Sequence, residues 1–190
     1  MRVVLEPGHG QGDPGAVGEG GITEAEVVTQ LVRTMVLRTD ENIRYEPKRR
    51  APKLLGGLLA LLNALRRNRP DVVMSIHCDW RGGRAAVYYW GRDPDATRML
   101  ASSRLADAVR SRLRDATGGE VLVRTAPYMR EGKLFTPGIL VRTALRAAVL
   151  VEAGPIGPVM ATGRWQWSVT DALDQGLRDW RNTCRDSRGS

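Results

Sequence analysis

Three short apolar runs, each closely followed by an ionisable side chain, constrain the fold of this chain more than any other feature. The runs occupy positions 3–5, 72–76 and 147–151, and the side chains after them are His9, His77 and Glu152. Each run is too short for a helix, and proline and glycine close the first one, which is typical of a buried strand entering a loop. The two imidazoles are the only ones in the sequence. Their matching positions suggest one shared site.

Helical patterns separate these strands. Thr23 and Glu26 form a capping box before an apolar stripe that continues to about position 38. Further helices are predicted at 53–68, at 95–116 before a Gly-Gly pair, within 135–146, and at 168–182 with Ser168 and Asp171 as its cap. Further strands are predicted at 43–45, 85–90 and 121–125. Alternating strands and helices require crossovers, so the sequence predicts an α/β fold with a mainly parallel sheet covered on both faces.

The length of 190 residues suits a single domain with a proper core. No repeat or linker divides the chain, so we predict one domain over 1–182 and a frayed tail at 183–190. Cys78 and Cys184 match no C-x-x-C spacing, which indicates a reducing compartment. The first apolar run is too short for a signal peptide, and no segment approaches the ~20 apolar residues of a membrane helix. We therefore expect synthesis in the cytoplasm without membrane insertion.

A net charge of +8 and a pI near 10.3 favour an anionic partner. Nucleic acid and anionic cell-surface polymer are both candidates, and arginine used as a general surface residue explains the charge equally well. The basic residues are scattered along the sequence, which has one phenylalanine and no nucleic-acid-binding motif. These features disfavour nucleic acid.

Sites in parallel sheets gather outside the carboxyl ends of the strands. His9, His77 and Glu152 each follow a predicted strand, so we expect all three in one crevice. Glu24 stands one position inside the helix that Thr23 caps and shares a face with its apolar stripe, which places its side chain near the same sheet edge. A carboxylate that only complements the helix dipole is the alternative role for Glu24.

Two imidazoles and a carboxylate form a donor set that zinc commonly uses, with a fourth position for water. His9, Glu24 and His77 lie far apart in the sequence, which suits a catalytic site better than a structural one. Cys78 is a rival ligand, but adjacent strand residues point to opposite faces, so we expect it to turn away. Asp79 either orients an imidazole or forms a turn.

A carboxylate at the end of a buried strand is costly unless it is paired or has a chemical role. Beside a water held at a metal, Glu152 could act as general base and then as proton donor to a leaving amine. A salt bridge to one of the arginines is the alternative. The two histidines expected at the same edge favour the catalytic role.

These residues carry a resemblance to a known family. The motifs in order are Glu6-Pro7-Gly8-His9-Gly10, Asp13-Pro14-Gly15-Ala16, Glu24 at the start of a helix, Ser75-Ile76-His77-Cys78-Asp79, and Leu150-Val151-Glu152-Ala153-Gly154. Together they resemble the zinc-dependent N-acetylmuramoyl-L-alanine amidases of the amidase 3 type. The resemblance extends from the first strand to about Gly154.

The resemblance implies a mixed sheet of about six strands with flanking helices, zinc on His9, Glu24 and His77, and Glu152 as the catalytic acid and base. The substrate would be peptidoglycan, cut at the amide between N-acetylmuramic acid and the first L-alanine of the stem peptide. The family usually has Asp where this chain has Glu6, and His-Ala-Asn where it has His77-Cys78-Asp79. These departures remove no ligand. Gly154-Pro155-Ile156 also replaces a more usual Gly-Phe, a change that concerns the substrate groove.

A phage or prophage lysis enzyme, acting as a monomer on the wall after membrane disruption, fits the compact single domain, which leaves no room for a separate cell-wall-binding domain. Two alternatives belong to other classes. One is a noncatalytic wall-binding or regulatory domain that uses the basic surface, with Trp165 and Trp167 as candidates for stacking against sugars. Packing beneath the last helix is the alternative role for these two tryptophans. The other is a basic nucleic-acid-binding protein, whose binding would be salt-sensitive and indifferent to a chelator.

Overall fold

A six-stranded sheet forms the centre of the molecule. The computed structural model describes residues 1–10, 12–39, 41–47, 57–79, 84–130, 133–135, 140, 143–157, 160 and 162–186. In spatial order the strands are β2 (Arg44–Pro47), β1 (Arg2–Pro7), β3 (Val72–Asp79), β8 (Ala147–Pro155), β4 (Ala86–Trp90) and β5 (Leu122–Ala126). All neighbours are parallel except β4 and β8. The predicted α/β fold with a mostly parallel six-stranded sheet is confirmed.

Helices cover both faces of this sheet, as predicted. They are α1 (Glu24–Val36), α2 (Gly57–Asn68), α3 (Ala96–Thr117) and α4 (Gly163–Asp186), with a 3-10 turn at Glu19–Gly21 and a hairpin of β6 (Tyr128–Arg130) and β7 (Lys133–Phe135). The larger core contains apolar residues of α1, α3 and α4, whereas the smaller core on the other face contains Leu65 of α2. No described helix has the length and apolarity needed to cross a membrane.

Strand alternation places the polar residues of the central strands on one face. Val3 and Leu5 lie in the larger core and Val4 in the smaller one, and β3 and β8 alternate in the same way. Four polar residues share the face of the smaller core and are buried: Glu6, Ser75, His77 and Glu152. In the strand register Glu6 is the partner of Ser75, and His77 is the partner of Glu152. These pairs therefore lie side by side on adjacent strands.

Two strands are longer than the sequence predicted. β8 continues through Glu152 to Pro155, and β3 continues through His77 to Asp79. The prediction that His77 and Glu152 follow their strands is therefore wrong in detail. Both residues lie within the paired parts of β3 and β8. Their side chains still reach the carboxyl edge, since only two or three residues of strand follow them.

The terminal helix also differs from its prediction. α4 begins at Gly163, so Ser168 lies inside the helix and does not cap it with Asp171. The Thr162 hydroxyl instead accepts the backbone N–H of Trp165 at 3.3 Å. The helix continues through Asp186, which corrects the frayed tail predicted from 183, and 187–190 lie outside the described residues. The predicted start of the second helix at 53–56 and much of the helix predicted within 135–146 also lie outside them.

Two local predictions of helix ends are confirmed. The Thr23 hydroxyl accepts the backbone N–H of Glu26, and the Glu26 carboxylate accepts that of Thr23, which completes the capping box of α1. Asp95 caps α3, and Gly118 ends it in the left-handed conformation with φ +67°. Glycine adopts this conformation without the strain that a side chain would add.

Gly176 allows α3 and α4 to pack closely. A Cβ added at Gly176 would lie 2.8 Å from the Cα of Val109 and 3.2 Å from the backbone oxygen of Ala108. Both contacts are with the backbone of α3, which cannot move aside as a flexible side chain could. The close approach of the two helices therefore depends on the absence of a side chain at this position.

We predict that Gly176→Ala destabilises the protein. Overpacking costs about 1–3 kcal/mol, which exceeds the gain of about 1 kcal/mol in helix propensity. Gly163→Ala is the matched control, because a Cβ at Gly163 meets nothing within 4 Å. Urea unfolding should show a loss for Gly176→Ala and a change within about 0.5 kcal/mol for Gly163→Ala. Equal stability of the two variants would contradict the packing argument.

Candidate metal centre

The Glu24 carboxylate lies at the centre of the candidate site. Its Oε1 accepts hydrogen bonds from the backbone N–H of Cys78 at 3.1 Å and lies 2.9 Å from Nδ1 of His77. Its Oε2 accepts the backbone N–H of Ala16 at 3.0 Å and lies 3.3 Å from Nε2 of His9. The Thr23 cap fixes the first turn of α1, and this turn places Glu24 over the ends of β1 and β3. The side chain is buried, as predicted from its place on the apolar face.

A strained turn after β1 positions His9. Its φ is +63°, in the left-handed region that non-glycine residues rarely adopt. The turn is closed by hydrogen bonds in both directions between the backbones of Gly10 and Asp13. Nδ1 of His9 also lies 3.1 Å from Oδ2 of Asp13, although without the alignment of a hydrogen bond. Strain of this kind persists only where the surrounding structure holds it.

Two glycines form a cradle for the site. The Gly8 N–H donates to the backbone carbonyl of Ile76 at 2.8 Å, so the chain runs directly under the His77 ring. A Cβ at Gly8 would lie 2.3 Å from Cε1 of His77, and one at Gly15 would lie 2.5 Å from Oε2 of Glu24. Gly15 also has φ +68°. Neither position can accept a side chain while the ring and the carboxylate stay in place.

The three predicted ligands converge. One donor atom each of His9, Glu24 and His77 lie within 4.8 Å of one another, and the two imidazole rings meet edge to face with centroids 5.1 Å apart. Nitrogen donors combined with a carboxylate oxygen form a set that suits zinc. These residues could therefore hold a divalent metal ion. Their role as ligands stays a prediction.

The electrostatics of the site favour a cation. Burial lowers the pKa of His77, but the hydrogen bond to Glu24 and the charges of Glu152 and Glu6 outweigh it, so the pKa lies above its ordinary value. Burial raises the pKa of Glu24, but hydrogen bonds from His77 and Ala16 outweigh it, so the pKa is lowered. Three buried carboxylates thus face two imidazoles, and a divalent ion would compensate their negative charge.

Glu152 and Glu6 lie beside this centre. Glu152 is the register partner of His77 on the adjacent strand, and its charge is close enough to raise the pKa of that imidazole. Glu6 accepts a short hydrogen bond from the Ser75 hydroxyl and is fully buried. Glu6 is on the same face of the sheet as His77, and its charge helps to raise the pKa of that imidazole.

The structure also answers the sequence alternatives for neighbouring residues. Cys78 turns into the larger core as predicted, where burial and the charges of Glu24 and Glu152 raise the pKa of its thiol. Asp13 accepts the Gly15 N–H at 3.4 Å and so contributes to the turn, and its contact with His9 was not predicted from the sequence. An aspartate four positions after a histidine in a glycine-rich loop was the only signal for that contact.

Trp165 and Trp167 lie near the start of α4 and not beneath it. Trp165 is partly buried and packs against the larger core. Trp167 is 56% exposed, and the guanidinium carbon of Arg38 lies 5.5 Å from the centroid of its ring. Arg38 also donates to Asp171 at 2.8 Å. Trp167 therefore has an intramolecular cation–π contact on the surface.

Comparison with known proteins supplies the family. The family model Amidase_3, described as N-acetylmuramoyl-L-alanine amidase, matches residues 3–158. The chain belongs to this family. The resemblance predicted from the sequence motifs is therefore confirmed, and the protein is an amidase of this class. No curated protein matches the sequence.

Solved structures of such enzymes share the fold of this amidase. AmiC2 of Nostoc punctiforme superposes with a TM-score of 0.71 at 21% identity, over 96% of this chain and 97% of that chain. The catalytic domain of CwlV from Bacillus (Paenibacillus) polymyxa var. colistinus gives 0.73 at 18% identity, over 95% and 98%. The catalytic domain of the CD27L endolysin targeting Clostridia difficile gives 0.69 at 11% identity, over 94% and 97%.

We predict that Gly8→Ala weakens zinc binding by the amidase about 10- to 100-fold, the range seen when groups that orient metal ligands are changed. The added methyl group forces the His77 ring away from Glu24. Gly119→Ala is the control, because Gly119, like Gly8, does not have a left-handed φ, and a Cβ at Gly119 would meet nothing closer than the Thr117 hydroxyl oxygen at 3.9 Å. Zinc titration of both folded variants measures the difference. Equal affinities would show that Gly8 does not position His77.

Proposed function

We propose that this amidase is zinc-dependent and cleaves the amide between N-acetylmuramic acid and the L-alanine that begins the stem peptide of peptidoglycan. The observation that carries the proposal is the convergence of His9, Glu24 and His77 beside the buried carboxylate of Glu152. Membership of the amidase family supplies the substrate class and the bond. The nitrogen and carboxylate donors of His9, Glu24 and His77 support zinc as the metal.

The residues of the site have different roles in hydrolysis. His9, Glu24 and His77 would hold Zn²⁺, which when bound activates a water molecule and polarises the scissile carbonyl. A carboxylate oxygen of Glu152 accepts a proton from the attacking water while the oxygen of that water adds to the carbonyl carbon. The same oxygen then returns the proton to the departing nitrogen as the carbon–nitrogen bond breaks, which releases the free amino group of L-alanine. The backbone N–H groups of Ala16 and Cys78, which donate to Glu24, would keep this carboxylate in position.

We predict that Glu152→Gln retains zinc but loses about 10² to 10⁴ in turnover, because an amide cannot accept the proton. The assay is the release of new L-alanine amino termini from purified peptidoglycan, with zinc content measured on the same samples. Glu120→Gln is the control, since Glu120 is an exposed carboxylate whose Oε2 lies 2.6 Å from Nη1 of Arg84. Normal turnover by Glu152→Gln would contradict the assigned role.

The same assay separates the other function classes. A chelator should abolish release of amino termini by the wild-type protein, and added zinc should restore it. A noncatalytic wall-binding domain would release none under any condition. A nucleic-acid-binding protein would bind DNA equally well with and without chelator, with a strong dependence on salt.

We also propose that the amidase is a phage or prophage lysis enzyme that acts as a monomer. The endolysin catalytic domain with the same fold supports this role, and the net charge of +8 would draw the protein to anionic polymer at the cell surface. In this role the protein is made in the cytoplasm and reaches the wall after the membrane is disrupted.

A further inference from the structure

A cavity lies on the sheet face that carries the candidate metal centre, but at the other end of the strands. It has a volume of about 930 Å³, and the residues that characterise it are Arg66, Arg69, Trp90, Arg92, Asp95 and Arg98. These residues come from the end of α2, the end of β4 and the start of α3. Ala144 of the smaller core forms part of its wall. The fold therefore gathers four guanidinium groups from separate segments.

The charge of this cavity is only partly compensated inside the protein. Arg98 is neutralised by Asp93, whose Oδ2 accepts from Nε at 2.7 Å. Asp95 accepts the backbone N–H of Arg98 as the cap of α3. Among the described residues, the exposed side chains of Arg69 and Arg92 have neither a hydrogen bond nor an ion pair. The cavity therefore presents at least two uncompensated guanidinium groups to solvent.

Helix electrostatics explain only part of this arrangement. Arg66 lies in the last turn of α2, where a cation complements the negative end of the helix dipole. Arg92, in contrast, precedes the start of α3, where the dipole is positive and a further cation is unfavourable. A bound anion would offset both the dipole and the repulsion between the guanidinium groups. The positions of the cations thus favour an anionic ligand.

We propose that this cavity, which we call the arginine cavity (Arg66, Arg69, Trp90, Arg92 and Arg98), binds oxyanion groups of the bacterial cell wall. The planar fork of arginine matches carboxylate and phosphate oxygens, which peptide stems and wall polymers both supply. Trp90 is partly buried against the smaller core and provides an apolar wall for the rest of such a unit. The proposal rests on the proposed function, which places the protein at the wall.

A wall polymer suits this cavity better than nucleic acid. The cations surround one depression and do not form a stripe that could follow a nucleic-acid backbone. Among the described residues Trp90 is the only aromatic one that lines the cavity, whereas binding of single strands uses successive stacking platforms. One anionic unit of a polymer, held by two or three arginines, therefore fits the observed shape and charge.

The arginine cavity and the metal centre are separate sites. Ala86 is the register partner of Glu152, and Trp90 lies four residues further along β4. Four residues of strand span roughly 13 Å. A ligand in the cavity therefore leaves the catalytic groups accessible, and its role is to hold the wall while the metal centre acts on it.

The test measures retention of the full chain on insoluble cell wall by cosedimentation at low temperature. The variant is Arg69→Gln combined with Arg92→Gln, and the control is Arg33→Gln combined with Arg114→Gln, which removes the same charge from exposed positions elsewhere. Each pair is tested on walls that retain their phosphate polymers, on walls stripped of them with hydrofluoric acid, and on duplex DNA. Cleavage of a soluble muropeptide is measured separately.

We expect the cavity pair to weaken wall binding about tenfold, the control pair less than twofold, and muropeptide cleavage to be unchanged in both. A loss confined to walls that retain phosphate identifies phosphate as the ligand, and a loss that persists on stripped walls identifies peptide carboxylate. Equal losses for the two pairs, or a loss confined to DNA, would overturn the proposal. Binding to the wall does not require catalysis. A negative result in the amidase assay would therefore be distinguishable from a loss of wall binding by the arginine cavity.

Discussion

The structure depends on one buried carboxylate, which accepts two backbone N–H groups and lies against two imidazoles. Glu24 receives two backbone N–H groups and lies between two imidazoles, and charge-assisted hydrogen bonds of this kind contribute about 1.5–3 kcal/mol each. They offset the cost of burying a charge at the start of α1. They also connect that helix to the loop after β1 and to the end of β3. The site and the local fold are therefore stabilised by the same contacts.

Sequence periodicity predicted the parts of this arrangement that local rules determine. The capping box of Thr23 placed Glu24 on the core side of its helix, and period-two alternation separated Cys78 from His77. The contact between His9 and Asp13 and the cradle around His77 could not be predicted, because both depend on a left-handed turn whose shape is set by tertiary packing. The extension of β8 past Glu152 was missed for a related reason, since pairing with β3 continues beyond the apolar run.

The structure also shows that charged groups are distributed unevenly along one face of the sheet. Carboxylates gather at the carboxyl edge of the central strands, whereas uncompensated arginines gather at the other end of the same face. Four arginines from separate segments of the sequence therefore lie around one cavity. The proposed cation site at one end and the proposed anion site at the other would suit an enzyme that cuts an anionic polymer while it remains attached to it.

Anomalous scattering at the zinc edge, recorded from crystals of the zinc-loaded protein, tests the central claim most directly. The account predicts one strong peak bonded to His9, Glu24 and His77, with donor distances of about 2.0–2.2 Å. A peak coordinated by other residues, or a zinc-loaded crystal in which Glu24 remains bound only to the imidazoles and backbone N–H groups, would contradict it.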